Sequence, residues 1–181
     1  MKRIVAVIAL TICLLMLFSC VGSVMAESPK KLPAALSTSG VVNDETDAKK
    51  IINPDGTIHV WGAKRTATAT LKIGAAGPSQ KVYSNGQVEV NLDFIIYPDM
   101  TTTQHYHKFV ITFPAQTGLP NGGIFEGVNT WKADMTDFPK YYAATFECHY
   151  TLQGSGDFEG YTLHVDKDVG GVTQASWVLI H

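Results

Sequence analysis

The chain has 181 residues, a length that suits one domain, and it carries 14 basic against 16 acidic side chains. The formal net charge of −2 excludes a protein that binds nucleic acid through bulk positive charge. Hydrophobic residues make up 45% of the chain but crowd its N-terminus, which excludes a polytopic membrane protein and leaves enough apolar side chains for one core.

Residues 1–26 have the layout of a secretory signal peptide. Lys2 and Arg3 form a positive segment, residues 4–18 are almost wholly apolar, and small residues follow up to Ala26. The apolar run is shorter than the roughly 20 residues that span a membrane, so we expect cleavage after Ala26. Two alternatives remain open, lipidation and an uncleaved anchor. The four residues that end at Cys20 resemble the lipobox of bacterial lipoproteins, in which the cysteine is lipidated.

The leader and the cysteine content together predict the compartment. We expect an exported protein that is extracellular, periplasmic or lipid-anchored at the cell envelope. It would meet a membrane only through its signal peptide or its lipid anchor. Downstream of the leader the chain has one cysteine, Cys148, so no internal disulfide is predicted. We expect that residue to behave as a small buried hydrophobe.

Residues 27–56 are predicted to form a flexible tether. The segment is rich in proline, lysine, serine and glycine, and such a composition buries too little apolar area to order itself. Asn43 or Asp44 would cap a short helix that ends near Ile52, because acidic residues come first and two lysines come last. A turn over residues 53–56 would then end the tether.

From Thr57 onward the sequence has the pattern of short β-strands. Apolar and polar residues alternate with a period of two, most clearly over residues 66–73 and 87–96. The Asn85–Gly86 pair predicts a hairpin turn before the second of these strands. Further strands are predicted over residues 104–113, 124–133, 142–153, 161–166 and 173–180. Turns are predicted over residues 74–78, 118–123, 134–140 and 168–171.

This pattern predicts an all-β domain over residues 57–181. Eight or nine short strands in one domain are typical of an antiparallel barrel, with a β-sandwich as the alternative. We favour the barrel because closure of the sheet removes exposed strand edges.

The glycine-rich turn over residues 154–160 carries a family resemblance. Its sequence, Gly-Ser-Gly-Asp-Phe-Glu-Gly, resembles the G-x-G-x-F-x-G turn of small eight-stranded barrels of the allene oxide cyclase and dirigent families. Glycines permit positive φ in such a turn, and we expect Phe158 to plug the end of the barrel. None of the reacting residues of those families matches this chain, so the resemblance implies the fold alone.

His105 and His107 form the most suggestive polar cluster. Side chains two residues apart on a strand share a face, and this face continues through Phe109 and Ile111. The pair would therefore lie at the mouth of a barrel cavity, where two imidazoles can hold a metal ion or polarise a ligand carbonyl. Cupin barrels also use a His-x-His pair, but the glutamate that follows it there is absent here. The alternative is a pair of histidines at a solvated rim.

Aromatic residues crowd the last part of the chain and give a second candidate site. We expect Tyr150, Tyr161 and Trp177 to join His105 and His107 in binding a flat or apolar ligand, with the tyrosine hydroxyls as polar contacts. The alternative is that these aromatic side chains form an ordinary core.

His149 and His164 are predicted to face each other across a hairpin. A hairpin centred between residues 156 and 157 pairs these histidines and places Cys148, Tyr150 and Leu152 on the opposite, apolar face. We expect the histidine pair to lie on the outer, solvated face.

Three functions remain open from the sequence. The first is an exported barrel, without enzymatic activity, that binds a small apolar or aromatic molecule or a protein partner. The second is a cyclase- or isomerase-type enzyme that uses the cavity histidines and tyrosines. The third is a metal-binding protein that uses His105 and His107. No phosphate-binding loop, nucleophile elbow or zinc cysteine cluster occurs in the sequence, so we expect no cofactor other than that metal and no nucleic acid partner.

Overall fold

The computed structural model describes residues 28–99, 103–105, 107–133, 146–167 and 174–181. The leader and the turns predicted over residues 134–140 and 168–171 lie outside this part of the chain. Within it, all regular structure is β, and there is no helix with the length and hydrophobicity of a membrane span. The strands are β1 (Lys30–Asp44), β2 (Lys49–Ile52), β3 (Ile58–Ile73), β4 (Lys81–Ile96), β5 (Thr103–His105), β6 (His107–Phe113), β7 (Gly123–Ala133), β8 (Phe146–Gly156), β9 (Tyr161–Lys167) and β10 (Gln174–Ile180).

Eight antiparallel strands close into a barrel, as the sequence predicts. Their order around the barrel is β1, β3, β4, β6, β7, β8, β9 and β10, and β10 pairs back with β1. β5 and β6 both pair with β4, and they do so in the same register. Phe94 lies opposite His105, and Asn91 lies opposite Lys108. β2 is an additional short strand that pairs with β3 at one end of the barrel.

The segment predicted to be a tether is a barrel strand instead. β1 pairs with β10 through Leu32 opposite Val178, and with β3 through Leu36 opposite Leu71. The predicted helix is also wrong, since residues 49–52 form β2. The physical reason is that β1 covers the edges of β3 and β10, which would otherwise expose unpaired backbone groups. The barrel therefore begins near residue 30 rather than 57.

The predicted hairpin at Asn85–Gly86 is wrong, because β4 runs through both residues. Asn85 has φ of 59°, and the register against β3 shifts there, which defines a β-bulge. Gly86 is required for packing, since a Cβ atom at this position would lie 2.6 Å from the ring of Phe113. The turn between β3 and β4 lies instead over residues 74–80, where the glycines predict one.

Aromatic rings close one end of the barrel interior. Phe158, in the turn between β8 and β9, is 1% exposed and stacks on Phe125 with ring centroids 4.5 Å apart. Tyr83 and Tyr161 meet the same ring edge-on at 5.2 and 6.0 Å. Gly123 makes room for the plug, because a Cβ atom there would lie 2.4 Å from the Phe158 ring. The predicted role of Phe158 is confirmed.

Apolar side chains fill the interior beside this plug. Among the described residues, the inward-facing side chains of the central layer are fully buried, and Cys148 is buried, as predicted. The fully buried side chains include Leu71, Ile111, Phe125, Leu152, Leu163 and Val178. These buried apolar side chains surround the plugged end of the interior, and the polar inward-facing residues lie away from Phe158.

Candidate functional site

Away from Phe158, polar side chains interrupt the apolar lining of the interior. On β3 and β4, buried apolar residues such as Val60 and Phe94 lie farther still from the plug. Alternation along each strand places the polar side chains on the inward face. On β3, Arg65 lies between the buried Ala63 and Ala67, and His107 begins the inward face of β6. We call this end of the interior the polar end, defined by Asn43, Arg65, His107, Cys148 and Tyr150.

Arg65 is the permanent charge of the polar end. It is partly buried, and its Nε donates a hydrogen bond to Oδ1 of Asn43, the residue opposite it on β1, at 2.9 Å. Within the described residues its guanidinium has no carboxylate partner. Apart from Arg3 in the leader, it is also the one arginine in the sequence. Among the described residues, the Asn43 amide is therefore the polar partner of the Arg65 guanidinium. Solvent or a ligand would stabilise the rest of its charge.

His107 is a neutral, buried imidazole. It is 1% exposed, and its Nδ1 lies 3.1 Å from the carbonyl oxygen of Asn91 and 3.3 Å from the backbone nitrogen of Asp93. These two contacts belong to different tautomers, because a carbonyl oxygen can only accept and a backbone N–H can only donate. A protonated Nδ1 donates to the Asn91 carbonyl, and an unprotonated Nδ1 accepts from the Asp93 N–H. The pKa of His107 is lowered to about 4, and burial is the main cause. The Asn91 hydrogen bond opposes this shift, the Arg65 charge adds to it, and the Asp93 charge opposes it.

Tyr150 is a protonated phenol on the same inward face. Its ring meets Phe109 edge-on with centroids 4.8 Å apart, and the Cys148 thiol donates to its hydroxyl oxygen at 3.4 Å. Burial raises the pKa of Tyr150 well above its ordinary value, the Cys148 thiol raises it too, and the Arg65 charge lowers it. Because Arg65 affects both His107 and Tyr150, these three side chains share one electrostatic environment.

The side chains of the polar end differ in exposure. Asn43, Arg65 and Tyr150 face inward and are partly exposed, whereas His107 and Cys148 beside them are buried.

Ser176 adds a buried hydroxyl to this end of the interior. It lies on β10 opposite Val165, which in turn lies opposite Tyr150, and it is 9% exposed. Within the described part of the chain, its Oγ has no hydrogen-bond partner. A buried hydroxyl without a partner is costly, so this atom is a second place where a ligand could complete a hydrogen bond.

The structure brings two of the five predicted ligand-binding residues together. His107 and Tyr150 both lie at the polar end, while Tyr161 lies at the opposite end against Phe158. His105 lies opposite Phe94 in the sheet, and its side chain is outside the described part of the structure.

Trp177 lies on the outer surface of the barrel rather than in its interior. It stands between the inward-facing Ser176 and Val178, so alternation turns it outward. Its ring stacks on His164 with centroids 5.1 Å apart, and Nζ of Lys31 lies 4.2 Å from the ring centroid. The prediction that Trp177 lines a cavity is therefore wrong.

The predicted pairing of His149 with His164 is also wrong. His149 lies opposite Asp166, with Nδ1 to Oδ1 at 2.7 Å, and Thr151 lies opposite His164. The centre of the hairpin lies between residues 157 and 158, one residue farther along the chain than predicted, so each residue of β8 pairs two positions later on β9. The shift keeps the parity of the strand, so the predicted inner and outer faces remain correct.

No group of three or more His, Cys, Asp or Glu side chains in the described residues could hold a metal ion. Nδ1 of His107 already makes a hydrogen bond to the backbone of β4. The predicted metal pair of His105 and His107 stays a prediction, since the first of these side chains is not described.

Sequence reasoning missed Arg65 and Asn43. The available signal was the alternation of Ala63, Arg65, Ala67 and Ala69, which places one arginine on an otherwise apolar strand face. Asn43 could not be found in this way, because its partner across the sheet depends on β1 being a barrel strand.

Comparisons with models of protein families, with curated proteins and with solved structures each found no match. The resemblance of the glycine-rich turn to allene oxide cyclase and dirigent barrels therefore stays a prediction. The polar side chains of the polar end are the features of the described structure that point to a function.

Proposed function

We propose that the protein binds one small organic ligand at the polar end of the barrel. The observation that carries this proposal is the convergence of a cation, a neutral imidazole and a phenol on one inward face, next to the apolar interior. Buried polar groups are unfavourable unless they are paired, and a bound molecule would supply a partner to the Arg65 guanidinium and to the Ser176 hydroxyl. A site of a few polar groups beside apolar walls is the usual composition of a small-molecule site.

The body of the ligand is expected to be apolar or aromatic. Val90 lies opposite Arg65 on one side and Phe109 on the other, so apolar side chains adjoin the charged group on the same ladder. The edge of the Tyr150 ring against Phe109 extends this apolar wall.

The state of His107 supports binding rather than acid–base catalysis. An efficient general acid or base has a pKa near the working pH, whereas the pKa of His107 is lowered to about 4. The imidazole therefore serves better as a neutral hydrogen-bonding group than as a proton shuttle.

Titration with phenylnaphthylamine, a neutral dye that fluoresces in apolar sites, tests this proposal. Ala67 faces inward two residues from Arg65, and Ala67→Leu would fill space beside the polar end. We expect saturable binding by the native protein and at least about tenfold weaker binding by this variant, a change of about 1.4 kcal/mol. Thr68→Leu, an exposed neighbour on the outer face, is the matched control and should bind like the native protein. Absence of saturable binding, or equal binding by both variants, would contradict the proposal.

We also propose that the chain is exported, on the basis of residues 1–26. Expression in a bacterial host followed by fractionation and intact mass measurement tests this proposal. Replacement of Cys20 with Ser should release a lipoprotein from membranes and leave a product cleaved after Ala26 unchanged. Recovery of the full-length, uncleaved chain in the cytoplasm would contradict export.

A further inference from the structure

We infer that the ligand of the polar end carries an acidic group, and that Arg65 binds this group as its counter-ion. The inference rests on the proposed function and names the chemical class of the ligand: an organic acid with an apolar body. The site then recognises the charge through Arg65 and the body through the apolar side chains beside it.

The charges of the described side chains at the polar end favour an acidic ligand. Within the described residues, its inward face holds Arg65 as a cation and no carboxylate. Two acidic residues on neighbouring strands are engaged elsewhere. Asp93 bonds to Nε2 of His59 at 2.6 Å on the outer face, and Asp44 accepts from the backbone of Thr46. An unpaired charge in a partly buried site is unfavourable, and an anionic ligand would neutralise it.

The orientation of the Arg65 guanidinium also favours an acidic ligand. The hydrogen bond from Nε to Asn43 uses one of the five N–H donors of Arg65 and holds the planar group in place. Within the described part of the chain the two terminal nitrogens make no hydrogen bond, and together they match the two oxygens of a carboxylate or a related acid. Asn43 thus acts as a positioning residue for Arg65.

The protonation states of His107 and Tyr150 leave the Arg65 charge in place. His107 is neutral and Tyr150 is protonated near neutral pH, so neither cancels the charge of Arg65. The phenol can donate a hydrogen bond to an acid oxygen, and the low polarity of the interior strengthens the ionic contact. The net charge that the described side chains present to a ligand is therefore positive.

The test compares two dyes that share an apolar skeleton. Anilinonaphthalene sulfonate carries an acidic group, and phenylnaphthylamine is the same ring system without it. We expect the full-length mature protein to bind the sulfonate at least about tenfold more tightly than the neutral dye. Arg65→Met should remove this preference and change the affinity for the neutral dye less than about twofold.

Lys64→Met is the matched control, because it removes the same charge from the exposed neighbour of Arg65 on the outer face. It should leave the preference for the sulfonate unchanged. Arg65→Lys keeps the charge and should retain part of the preference, and it remains informative if the methionine variant does not fold. Thermal melts of each variant establish that the barrel is intact.

Two failures of this experiment have different meanings. If the native protein binds both dyes equally, or if Arg65→Met weakens both equally, Arg65 does not recognise charge and the inference is overturned while the proposed site stands. If the native protein binds neither dye, the proposed function itself fails and the inference fails with it.

Discussion

His107 should make the stability of the protein depend on pH within a defined window. The pKa of this buried imidazole is lowered to about 4, from 6.5 for the ordinary side chain. Between these two values the unfolded chain binds a proton that the folded chain does not. The stabilisation is therefore complete above about pH 6.5, is lost progressively as the pH falls toward 4, and changes little below that.

The size of the effect follows from the two pKa values. A tenfold change in proton affinity corresponds to about 1.4 kcal/mol, so protonation of His107 in the folded state should cost about 3 kcal/mol. This cost does not need a correction for solvent screening, because the side chain is 1% exposed. It is a large share of the 5–15 kcal/mol that typically stabilises a domain.

The informative variant is His107→Asn, which can keep a donor toward the Asn91 carbonyl and cannot be protonated. Urea unfolding followed by tryptophan fluorescence at a series of pH values from about 7.5 to 3.5 measures the free energy of unfolding. The native protein should lose about 3 kcal/mol more than the variant across this range. His149→Asn removes an exposed outer-face histidine and should behave like the native protein.

Other groups will also respond to acid, but they do not obscure the comparison. The pKa values of Asp44 and Asp55 are lowered by hydrogen bonds from Thr46 and Thr57, and these contacts are common to all the variants. The difference between native protein and variant thus isolates His107. Parallel pH dependence in the native protein and His107→Asn would refute the assignment of a buried neutral imidazole.

Two further predictions concern the barrel itself. Leu36→Ala should destabilise the protein by about 2–5 kcal/mol because Leu36 is buried in β1, whereas Val42→Ala, at an exposed site of the same strand, should cost less than about 0.5 kcal/mol. Equally small losses in chemical denaturation would show that β1 is not a barrel strand. Gly123→Ala should cost about 1–3 kcal/mol, because the added Cβ would lie 2.4 Å from the Phe158 ring. The same substitution should cost much less in a Phe158→Ala background, and equal costs in a double-mutant cycle would rule out this contact as the cause.

The inner and outer faces of the strands could be predicted from the sequence alone. Alternation with a period of two is a local property, so it correctly turned Cys148, Tyr150 and Leu152 inward even though the predicted partner residues were wrong. The same local pattern predicted the barrel and the inward position of His107. The plug was also predictable, because a phenylalanine within a glycine-rich turn has room to fold over the end of a barrel.

Strand pairing could not be predicted, because it is decided by the whole closed sheet. Residues 30–44 have a composition typical of a tether, yet they become β1 because β3 and β10 each need a partner. Asn85 and Gly86 have the conformational preferences of a hairpin, but the interior beside Phe113 uses them in a bulge. Backbone hydrogen bonds between distant segments outweigh these local preferences.

The candidate site shows the same division. His107 and Tyr150 were predictable as inward-facing polar residues, since each stands in a run of alternating apolar positions. Their meeting with Arg65 was not, because it requires β3, β6 and β8 to take definite positions around one barrel. The electrostatic environment of Arg65 is set by residues on other strands that face it across the interior. Only the closed sheet determines which residues those are.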